Sequence, residues 1–404
     1  MSLVSTKQRI LVCGGGNGAH CLSALAASRD NFEVHVLTLF QDEAERWSNL
    51  TNDRKMKLTV TNQDGEQHDI YSKPLLVTKD PEIAISGVNM IFLVVPAFAH
   101  AQYLTALLPY LQENTIIVGL PGQAGFEFQC KGILSDVMNT CTIASTETLP
   151  FACRIVEFGK HISLLGLKET LGVSFIKGKK CQLQFSVVDK IQEILGEKPK
   201  LKLIQHYLAV TLLGAPAIHT GMMYGKWENW DGKPLKTEPL FYQGVDEREA
   251  DLISKLSDEK VKIARKIGKM RKDIDTSEVI HIFDWLKCSY TDQISDKVSL
   301  MTTLQTNKAY EGMVHPMIST EDGYVPNFSH RYLTEDIPYG LVVVKGIAEI
   351  IGEDTPTTDY VLEWGQRKIE KEYIIGTKLV GKDVPSARAP QSFGLSTVDD
   401  IFTM

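Results

Sequence analysis

The amino-acid sequence predicts an α/β protein, in which an N-terminal doubly wound parallel sheet is followed by a C-terminal, mainly α-helical domain. Short apolar runs alternate with helical patterns through the first half of the chain, which is typical of a parallel sheet covered by helices. A glycine-rich turn follows the first apolar run, and beyond residue 200 the pattern becomes mostly helical. The length of 404 residues allows roughly two to three domains, each with its own core.

The first half of the chain contains the strand signals. Buried strands are predicted at residues 9–13, 33–38, 89–95, 115–119 and 141–145. Each is an apolar run of about four to seven residues bounded by turn residues, as strands covered on both faces are. Helical patterns lie between them at residues 19–28 and 100–111, and the polar run 51–72 predicts a short antiparallel or loop insertion.

The predicted boundary between the domains is a charged stretch with Gly and Pro at residues 195–200, where apolar periodicity is lost. We therefore assign residues 1–198 to the first domain and residues 203–404 to the second. In the second domain, residues 251–271 carry apolar side chains on one helical face. Further helices are predicted at residues 273–287 and 338–352.

Composition excludes several classes of protein and partner. Hydrophobic residues make up 43% and charged residues 23% of the chain, ordinary globular values that exclude disorder, collagen and coiled-coil arrays. A formal net charge of −7 argues against nucleic acid or an anionic membrane as the main partner. The seven cysteines are scattered and never spaced C-x-x-C, which argues against a disulfide framework or a metal site and favours a reducing compartment. Without a visible signal peptide or long apolar span, we expect a cytoplasmic protein, either a monomer or a small oligomer.

The strongest motif is the glycine-rich turn after the first predicted strand, which fits G-x-G-x-x-G/A with Gly14, Gly16 and Ala19. The first glycine permits the tight turn, the second lets the backbone approach a pyrophosphate, and the third small residue lets the helix pack on the strand. The N-terminus of that helix then offers N–H groups and a partial positive charge to the phosphates. The turn therefore predicts a Rossmann-type dinucleotide site. Its residues are Gly14, Gly15, Gly16, Asn17, Gly18 and Ala19.

The end of the second predicted strand bears on the choice between NAD and NADP. An acid usually stands there, about 20 residues after the glycines, and binds the adenosine ribose. Here the strand ends at Thr38, the acids come later at Asp42 and Glu43, and no Arg or Lys stands at the tip. NAD(H) is therefore favoured over NADP(H), with Thr38 or Asp42 expected at the ribose.

Three further strand ends are expected at the same edge of the sheet, where doubly wound proteins bind their ligands. Val95 and Pro96 follow one strand, and they either lie near the nicotinamide half of the cofactor or only terminate the strand. Gln123 and Thr148 follow two others. Their uncharged donors suit a carboxylate oxygen, although both residue types are also common in surface loops.

A dehydrogenase needs a group that exchanges protons, and histidine is the commonest because its ordinary pKa is about 6.5. His219 differs from the other histidines because small and apolar residues surround it early in the second domain; a buried structural histidine is the alternative. Arg331 and Asp336 stand just before a predicted helix that begins at Pro338. Asp336 either orients the histidine or caps the helix, and Arg331 either clamps a carboxylate or is the surface partner of Asp336.

Several short stretches, from the first strand to near the end of the chain, match one family. They are residues 13–20, 37–40, 42–47, 118–121, 123–129, 147–150, 152–155, 230–234, 331–338 and 381–384. On these motifs the chain resembles the opine dehydrogenases, most closely the octopine-dehydrogenase type of marine invertebrates. The resemblance covers nearly the whole chain and is far more specific than the glycine motif.

The resemblance implies the reductive condensation of a 2-oxo acid, usually pyruvate, with the amino group of an amino acid. An imine forms and takes a hydride from NADH, which regenerates NAD during anaerobic glycolysis. His219 would be the catalytic acid and base, with Asp336 as its orienting partner. The substrate contacts it implies are Gln123 and Thr148 at the oxo-acid carboxylate, Arg331 as a carboxylate clamp, and Glu147 and Cys153 lining the cleft.

The amine donor stays open at this point. The segment 214–217 before His219 is small, and Trp285 matches the arginine-using pattern whereas its neighbours at 286–288 do not. We therefore expect a smaller donor, glycine, alanine, β-alanine or taurine, with L-arginine as a further option.

Two other functions compete with this one. A dehydrogenase of 2- or 3-hydroxy acids or of glycerol phosphate, on a similar plan, would reduce its substrate without an amine. A nucleotide-sensing protein would bind NADH without turnover. If each domain contributes half of a site, closure of the domains on binding NADH is also expected.

Overall fold

The computed structural model describes residues 7–62, 65–214 and 217–404. The chain divides into two compact units, Met1–Val210 and Thr211–Met404. This division lies about ten residues beyond the predicted boundary, because the chain after residue 198 first adds another strand to the sheet of the first unit. The assignment of residues 1–198 and 203–404 to separate functional domains stays a prediction.

The first unit is built on one eight-stranded and one four-stranded sheet. Its strands are β1 (Gln8–Cys13), β2 (Phe32–Leu37), β3 (Met56–Thr61), β4 (Gln67–Ser72), β5 (Leu76–Thr78), β6 (Met90–Leu93), β7 (Ile116–Gly119), β8 (Thr142–Thr146), β9 (Phe151–Glu157), β10 (His161–Leu167), β11 (Thr170–Lys177) and β12 (Lys200–Leu203). The large sheet has the order β12-β11-β8-β7-β6-β1-β2-β5, in which only β8 and β11 pair antiparallel. The strands from β5 to β8 follow the Rossmann order, so the predicted doubly wound sheet is confirmed.

Helices cover the large sheet because its strands are apolar on both faces. In β1, Ile10 and Val12 join one buried apolar cluster, whereas Leu11 and Cys13 join another. This alternation follows from the two-residue period of a strand. The helices of this unit are α1 (Asn17–Ala27), α2 (Glu43–Thr51), α3 (Pro81–Ile85), α4 (Ala97–Leu107), α5 (Phe126–Leu134), α6 (Val187–Leu195) and α7 (Tyr207–Gly214), the last of which crosses the unit boundary. Short 3₁₀ turns lie at Leu108–Tyr110 and Ser135–Thr140.

The predicted insertion at 51–72 is an antiparallel hairpin of β3 and β4. It belongs to the four-stranded sheet, whose order is β4-β3-β10-β9. Met56, Leu58 and Val60 of β3 alternate toward the apolar core, which explains why the hairpin docks on the unit instead of forming a free loop.

The stretch at 195–200 was predicted to be a linker, but it leads into the edge strand β12. Gln192 fastens it: its amide oxygen accepts from the Leu201 N–H at 2.7 Å, and its amide nitrogen donates to the carbonyls of Gly196 and Pro199. The charged edge strand pairs with β11 alone, so it carries no strong apolar signal.

The second unit is mainly helical, as predicted. Its elements are α8 (Ile218–Trp227), α9 (Glu247–Met270), α10 (Ile282–Ser289), α11 (Leu300–Gln305), β13 (Met317–Thr320), β14 (Gly323–Pro326), α12 (Arg331–Thr334), α13 (Val342–Ile351), α14 (Pro356–Lys368) and α15 (Val398–Phe402). One π-helical turn, Ile337–Leu341, precedes α13, and 3₁₀ turns lie at Lys308–Tyr310, Val384–Ser386 and Pro390–Phe393. Within the described ranges, no helix is both long and apolar enough to cross a bilayer.

The predicted helices of the second unit are confirmed except at 273–287. The pattern at 251–271 is α9, which begins with a capping box in which Asp246 accepts from the Glu249 N–H at 2.8 Å. The helix predicted from 273 starts only at Ile282. Before it, the Asp275 carboxylate accepts from the Ser277 N–H at 2.8 Å, a local turn that competes with helix formation.

Candidate active site

The first glycine of the turn after β1 is required by its backbone geometry. Gly14 has φ +124°, and its N–H donates to the Leu37 carbonyl at 2.8 Å. A Cβ at this position would lie 2.7 Å from the Val94 carbonyl oxygen and 2.8 Å from Val95 Cγ1. Glycine therefore lets the turn pass beneath the ends of β2 and β6.

The N-terminus of α1 is suited to an anionic ligand. Gly16 is its N-cap, the helix has no side-chain cap and no acid in its first turn, and a Cβ at Gly16 would meet no atom within 4 Å. Gly18 packs closely on Val94, where a Cβ would lie 2.9 Å from Cγ1, and Ala19 is buried. These residues fit the pyrophosphate of a dinucleotide.

Two polar residues attach this turn to the four-stranded sheet. The Asn17 side-chain oxygen accepts from the Ile155 N–H of β9 at 2.8 Å. Asn17 is a predicted cofactor residue, and its backbone is the part that is left to contact a phosphate. His20 lies 3.2 Å from the Gly16 carbonyl through Nδ1, and its Nε2 accepts from the Gly159 N–H. Burial lowers the pKa of His20 to about 4, so the ring is neutral and stacks on Trp47 at 3.6 Å.

Glu43, which the sequence prediction did not select for the ribose, contacts the residue that follows β2. Thr38 is buried, and its Oγ1 donates to Glu43 Oε2 at 2.6 Å. The same carboxylate lies directly against Gly15, where an added Cβ would overlap it. Asp42 instead pairs with Arg46 at 3.5 Å on the surface. Spacing in the sequence does not separate Asp42 from Glu43; the start of α2 at Glu43 does.

The loops after β7 and β8 lie together, because these strands are parallel neighbours and the Gly122 N–H donates to the Thr146 carbonyl at 3.4 Å. Gln123 has φ +59°, an uncommon conformation for a residue with a side chain. Thr148 is half-buried in the second loop. The predicted pair therefore sits at the carboxyl edge of the sheet. At the same edge, Val95 packs against Gly14, and Pro96 is the exposed N-cap of α4.

The side chains of Glu147 and Cys153 both make contacts inside the first unit. The Glu147 carboxylate accepts from the Gly172 N–H of β11 at 3.0 Å. Cys153 lies on β9 and is buried against Cys21. A hydrogen bond from Cys21 lowers the pKa of the Cys153 thiol against the opposing effect of burial, and Arg154 adds to the lowering.

The second unit brings together the histidine and the aspartate proposed for catalysis. His219 lies at the start of α8, and its Nδ1 is 2.8 Å from Asp336 Oδ2. The Asp336 carboxylate caps no helix, so of its two predicted roles the geometry favours orienting the ring. Nε2 of His219 lies 2.9 Å from the Tyr242 hydroxyl, and the Tyr332 ring stacks on the imidazole at 3.9 Å. Neither tyrosine was among the site residues predicted from the sequence.

Arg331 is at the first position of α12. Its Nε pairs with the buried Glu335 carboxylate at 2.9 Å, while 57% of the arginine side chain is exposed. The predicted surface partner, Asp336, is thus engaged by His219 instead. Arg331 precedes Asp336 by five residues, and its exposed guanidinium is suited to bind an anion.

Trp285 lies on α10 and is connected to His219 by a row of aromatic rings. It packs edge-on against Tyr290 at 6.1 Å, and Tyr290 packs against Tyr310 at 5.4 Å. Tyr310 stacks on Tyr242 at 3.9 Å. The predicted substrate residue is therefore part of the same side-chain cluster as the histidine. Among residues 7–62, 65–214 and 217–404, no group of three His, Cys, Asp or Glu side chains is placed to hold a metal ion.

A sheet in the Rossmann order with a glycine-rich turn, in one unit, and a His–Asp pair, in the other, are features typical of nicotinamide-dependent dehydrogenases. Residues 203–369 match the family model of the NAD/NADP octopine/nopaline dehydrogenase alpha-helical domain. The chain is 47% identical to an opine dehydrogenase of Haliotis discus hannai over 98% of both chains. It is 45% identical to an octopine dehydrogenase of Pecten maximus, over 98% of both chains, and 44% identical to a tauropine dehydrogenase of Arabella iricolor, over 97% of this chain and 99% of that one.

Solved structures agree with these similarities. Octopine dehydrogenase in complex with NADH and agmatine superposes with a TM-score of 0.94, at 44% identity and over 98% of both chains. The complex with NADH and L-arginine superposes with a TM-score of 0.93 over the same coverage. The chain belongs to the opine dehydrogenase family, and it is an NAD(H)-dependent oxidoreductase that acts on CH–NH groups.

Proposed function

We propose that this protein catalyses the NADH-dependent reductive condensation of pyruvate with a small amino acid. The observation that carries the proposal is the His219–Asp336 pair, with its Nδ1–Oδ2 distance of 2.8 Å. The relatives support the choice of substrates, since solved octopine dehydrogenase structures contain NADH with pyruvate or with L-arginine. The product is a secondary amine that joins the two substrates, and NAD is regenerated.

His219 is the proton carrier of this reaction. The ammonium group of the amino acid must lose a proton before its nitrogen attacks the 2-oxo carbon of pyruvate. The carbinolamine that results must then gain a proton at oxygen before water leaves. Asp336 keeps Nδ1 protonated, so that Nε2 of His219 takes and returns these protons. NADH, when bound, supplies the hydride that reduces the imine carbon.

The cofactor contacts we propose lie on the glycine turn and on Glu43. The uncapped N-terminus of α1 and the open face of Gly16 receive the pyrophosphate. The Glu43 carboxylate, anchored by Thr38, accepts hydrogen bonds from the adenosine ribose. The same carboxylate would repel a 2′-phosphate, which supports NADH as the preferred cofactor over NADPH.

The substrate contacts we propose use neutral and cationic donors. Gln123 and Thr148 donate to the carboxylate of pyruvate, and Arg331 supplies the positive charge for a substrate carboxylate. Glu147 and Cys153 are proposed to line the substrate cleft, and Trp285 is proposed to contact a substrate. The net charge of −7 does not exclude small anionic substrates, because a few neutral or cationic donors can bind a small anion.

The amine donor we propose is glycine, alanine, β-alanine or taurine. The octopine and tauropine dehydrogenases are 45% and 44% identical to this chain, so overall identity does not choose between donors. The small residues at 214–217 support a small donor over L-arginine; positions 215 and 216 lie outside the described residues.

The test is the oxidation of NADH in the presence of pyruvate and a panel of these donors, with L-arginine included. We expect turnover only when an amine is present. Oxidation with pyruvate alone would instead assign a hydroxy-acid dehydrogenase, and NADH binding without any turnover would assign a sensor.

The variant His219→Ala should bind NADH normally, and its turnover should fall at least about 100-fold, the range of general acid–base catalysis. The matched control is His68→Ala, because His68 is an exposed histidine of the first unit, and its turnover should match that of the wild type. Undiminished turnover of His219→Ala would remove the histidine from the mechanism.

A further inference from the structure

We propose that Tyr242 is a positioning residue for the proposed reaction: its hydroxyl donates to Nε2 of His219 and holds the ring in the neutral, Nδ1-protonated form that can accept a proton from the substrate amine. This inference rests on the proposed function, and it concerns a residue between α8 and α9 that no motif identified. Its basis is the pair of distances at the imidazole, 2.8 Å to Asp336 and 2.9 Å to Tyr242.

The direction of the two hydrogen bonds follows from the chemistry of the partners. An ionised carboxylate can only accept, so Nδ1 carries the hydrogen that faces Asp336. A neutral imidazole then has a lone pair at Nε2, and this atom can only accept. The Tyr242 hydroxyl is therefore the donor at Nε2. Together with Asp336, the bond favours one tautomer of His219, the tautomer that a general base with Nε2 toward the substrate requires, and it fixes the plane of the ring from its second nitrogen.

The tyrosine is held firmly in this position. Its ring is 5% exposed, stacks on Tyr310 at 3.9 Å with an interplanar angle of 14°, and packs edge-on against Phe241 at 4.9 Å. Burial raises the pKa of Tyr242 well above its ordinary value. The phenol consequently keeps its proton and remains a donor throughout the neutral range.

A second hydroxyl allows the hydrogen bond at Nε2 to reverse. Tyr242 also hydrogen-bonds to Tyr332, whose ring stacks on the imidazole at 3.9 Å. When the Tyr242 O–H turns toward the Tyr332 oxygen, the Nε2 lone pair is freed for the incoming proton. The imidazolium can then donate from Nε2 to the Tyr242 oxygen. No proton is gained or lost by the pair of tyrosines in this exchange.

The other charged or titratable groups near the ring do not replace this donor. They are Asp336, Tyr332, Tyr310, Tyr290, His330 and Arg331. Asp336 occupies Nδ1, and His330 uses its Nδ1 to accept from the Tyr332 N–H as the cap of α12. In the described part of the chain, the hydroxyl group within hydrogen-bond distance of His219 Nε2 is that of Tyr242.

The test is Tyr242→Phe, which removes the hydroxyl and keeps the ring. We expect kcat to fall about 10- to 100-fold, below the full loss of an acid–base group, while KM for pyruvate changes less than about threefold.

The matched control is Tyr224→Phe, which lies on the same helix as His219 but bonds its hydroxyl to Glu228. Its kcat should equal that of the wild type. A Tyr242→Phe enzyme with unchanged kcat, beside an active wild type, would overturn the proposal.

A second measurement is independent of turnover. Nitrogen-15 NMR of the histidine rings, with the His219 signals assigned by their absence in His219→Gln, reports the tautomer directly. We expect a protonated Nδ1 and an unprotonated Nε2 in the wild type, with the Nε2 resonance shifted by its hydrogen bond, and the resonance of an unprotonated Nε2 without that bond in Tyr242→Phe. An Nε2-protonated wild-type ring would overturn the proposal, whereas an enzyme inactive with every amine would overturn only the proposed function.

Discussion

At the scale of single residues, Glu43 shows why the cofactor preference was only partly predictable. The acid expected at the end of β2 is displaced in sequence, and Asp42 and Glu43 are indistinguishable by spacing. The start of α2 separates them, because it turns Glu43 back to Thr38 and Gly15 and leaves Asp42 on the surface with Arg46. A difference of one position thus decides which carboxylate faces the dinucleotide turn.

We expect Glu43→Gln to raise the NADPH-to-NADH ratio of kcat/KM about tenfold, which corresponds to about 1.4 kcal/mol of removed repulsion. The amide retains the size of the side chain and an acceptor for the ribose. Asp42→Asn removes a neighbouring charge without touching the turn and should leave the ratio unchanged. Steady-state kinetics with both cofactors measures the effect, and equal shifts in the two variants would contradict the role of Glu43.

At the scale of elements, the turn between β1 and α1 combines a packing requirement with a binding surface. Gly14 is enclosed by β6, and a Cβ there would approach the Val94 carbonyl oxygen to 2.7 Å. Gly16 is open on the side where a ligand would approach. His20 and Asn17 then fasten the start of α1 to the four-stranded sheet, so the turn is fixed from both sides.

This difference predicts opposite results for two glycine substitutions in the same turn. Gly14→Ala should lower the free energy of unfolding by about 1–3 kcal/mol, because alanine is strained at φ +124°. Gly16→Ala should unfold like the wild type but bind NADH at least about tenfold more weakly, since its Cβ occupies the approach to the backbone. Thermal denaturation and NADH fluorescence titration separate the two effects. Loss of stability in Gly16→Ala would contradict this division.

At the scale of the whole molecule, buried histidines link stability to pH in both units. Burial lowers the pKa of His20 in the first unit to about 4 and that of His315 in the second to about 3. Both values lie below the ordinary 6.5, so the unfolded chain binds protons that the folded chain does not. The stability contributed by each neutral ring is therefore complete above pH 6.5 and declines as the pH falls toward the folded-state values.

We expect the free energy of unfolding to decrease between pH 6 and pH 5 by up to about 1.4 kcal/mol for each of these histidines. His20→Gln should weaken this dependence, because glutamine does not titrate, whereas the exposed His68→Ala should leave it unchanged. Urea denaturation at the two pH values measures the slope. A stability that is the same at pH 5 and pH 6 would contradict the assignment of neutral buried rings.

Local patterns in the sequence determined the fold class, five adjacent strands of the large sheet and the long helix α9. The five predicted strands, the amphipathic helix α9 and the glycine turn all depend on neighbours within a few residues, where backbone geometry and side-chain period leave little choice. Two predictions failed for local reasons: the stretch at 195–200 leads into the charged edge strand β12, which has no apolar period, and an Asp275 turn interrupts the helix predicted at 273–287. Strands β5, β9, β10 and β11 were not predicted. Family motifs along the chain determined the dehydrogenase class.

Only the tertiary structure decided which polar groups meet. His219 and Asp336 are 117 residues apart, and His219 and Tyr242 are 23 apart, so no local period relates them. From the sequence, Asp336 could be either a helix cap or the partner of a histidine. In the structure α8 packs beside α12, and the Asp336 carboxylate lies within hydrogen-bond distance of Nδ1 of His219. Hydrogen bonds depend on a few tenths of an ångström and on burial, which are properties of the folded chain. The sequence therefore determined the sheet, the turn and the family, whereas the tertiary structure decided which groups hydrogen-bond to His219 and which acid lies against the glycine turn.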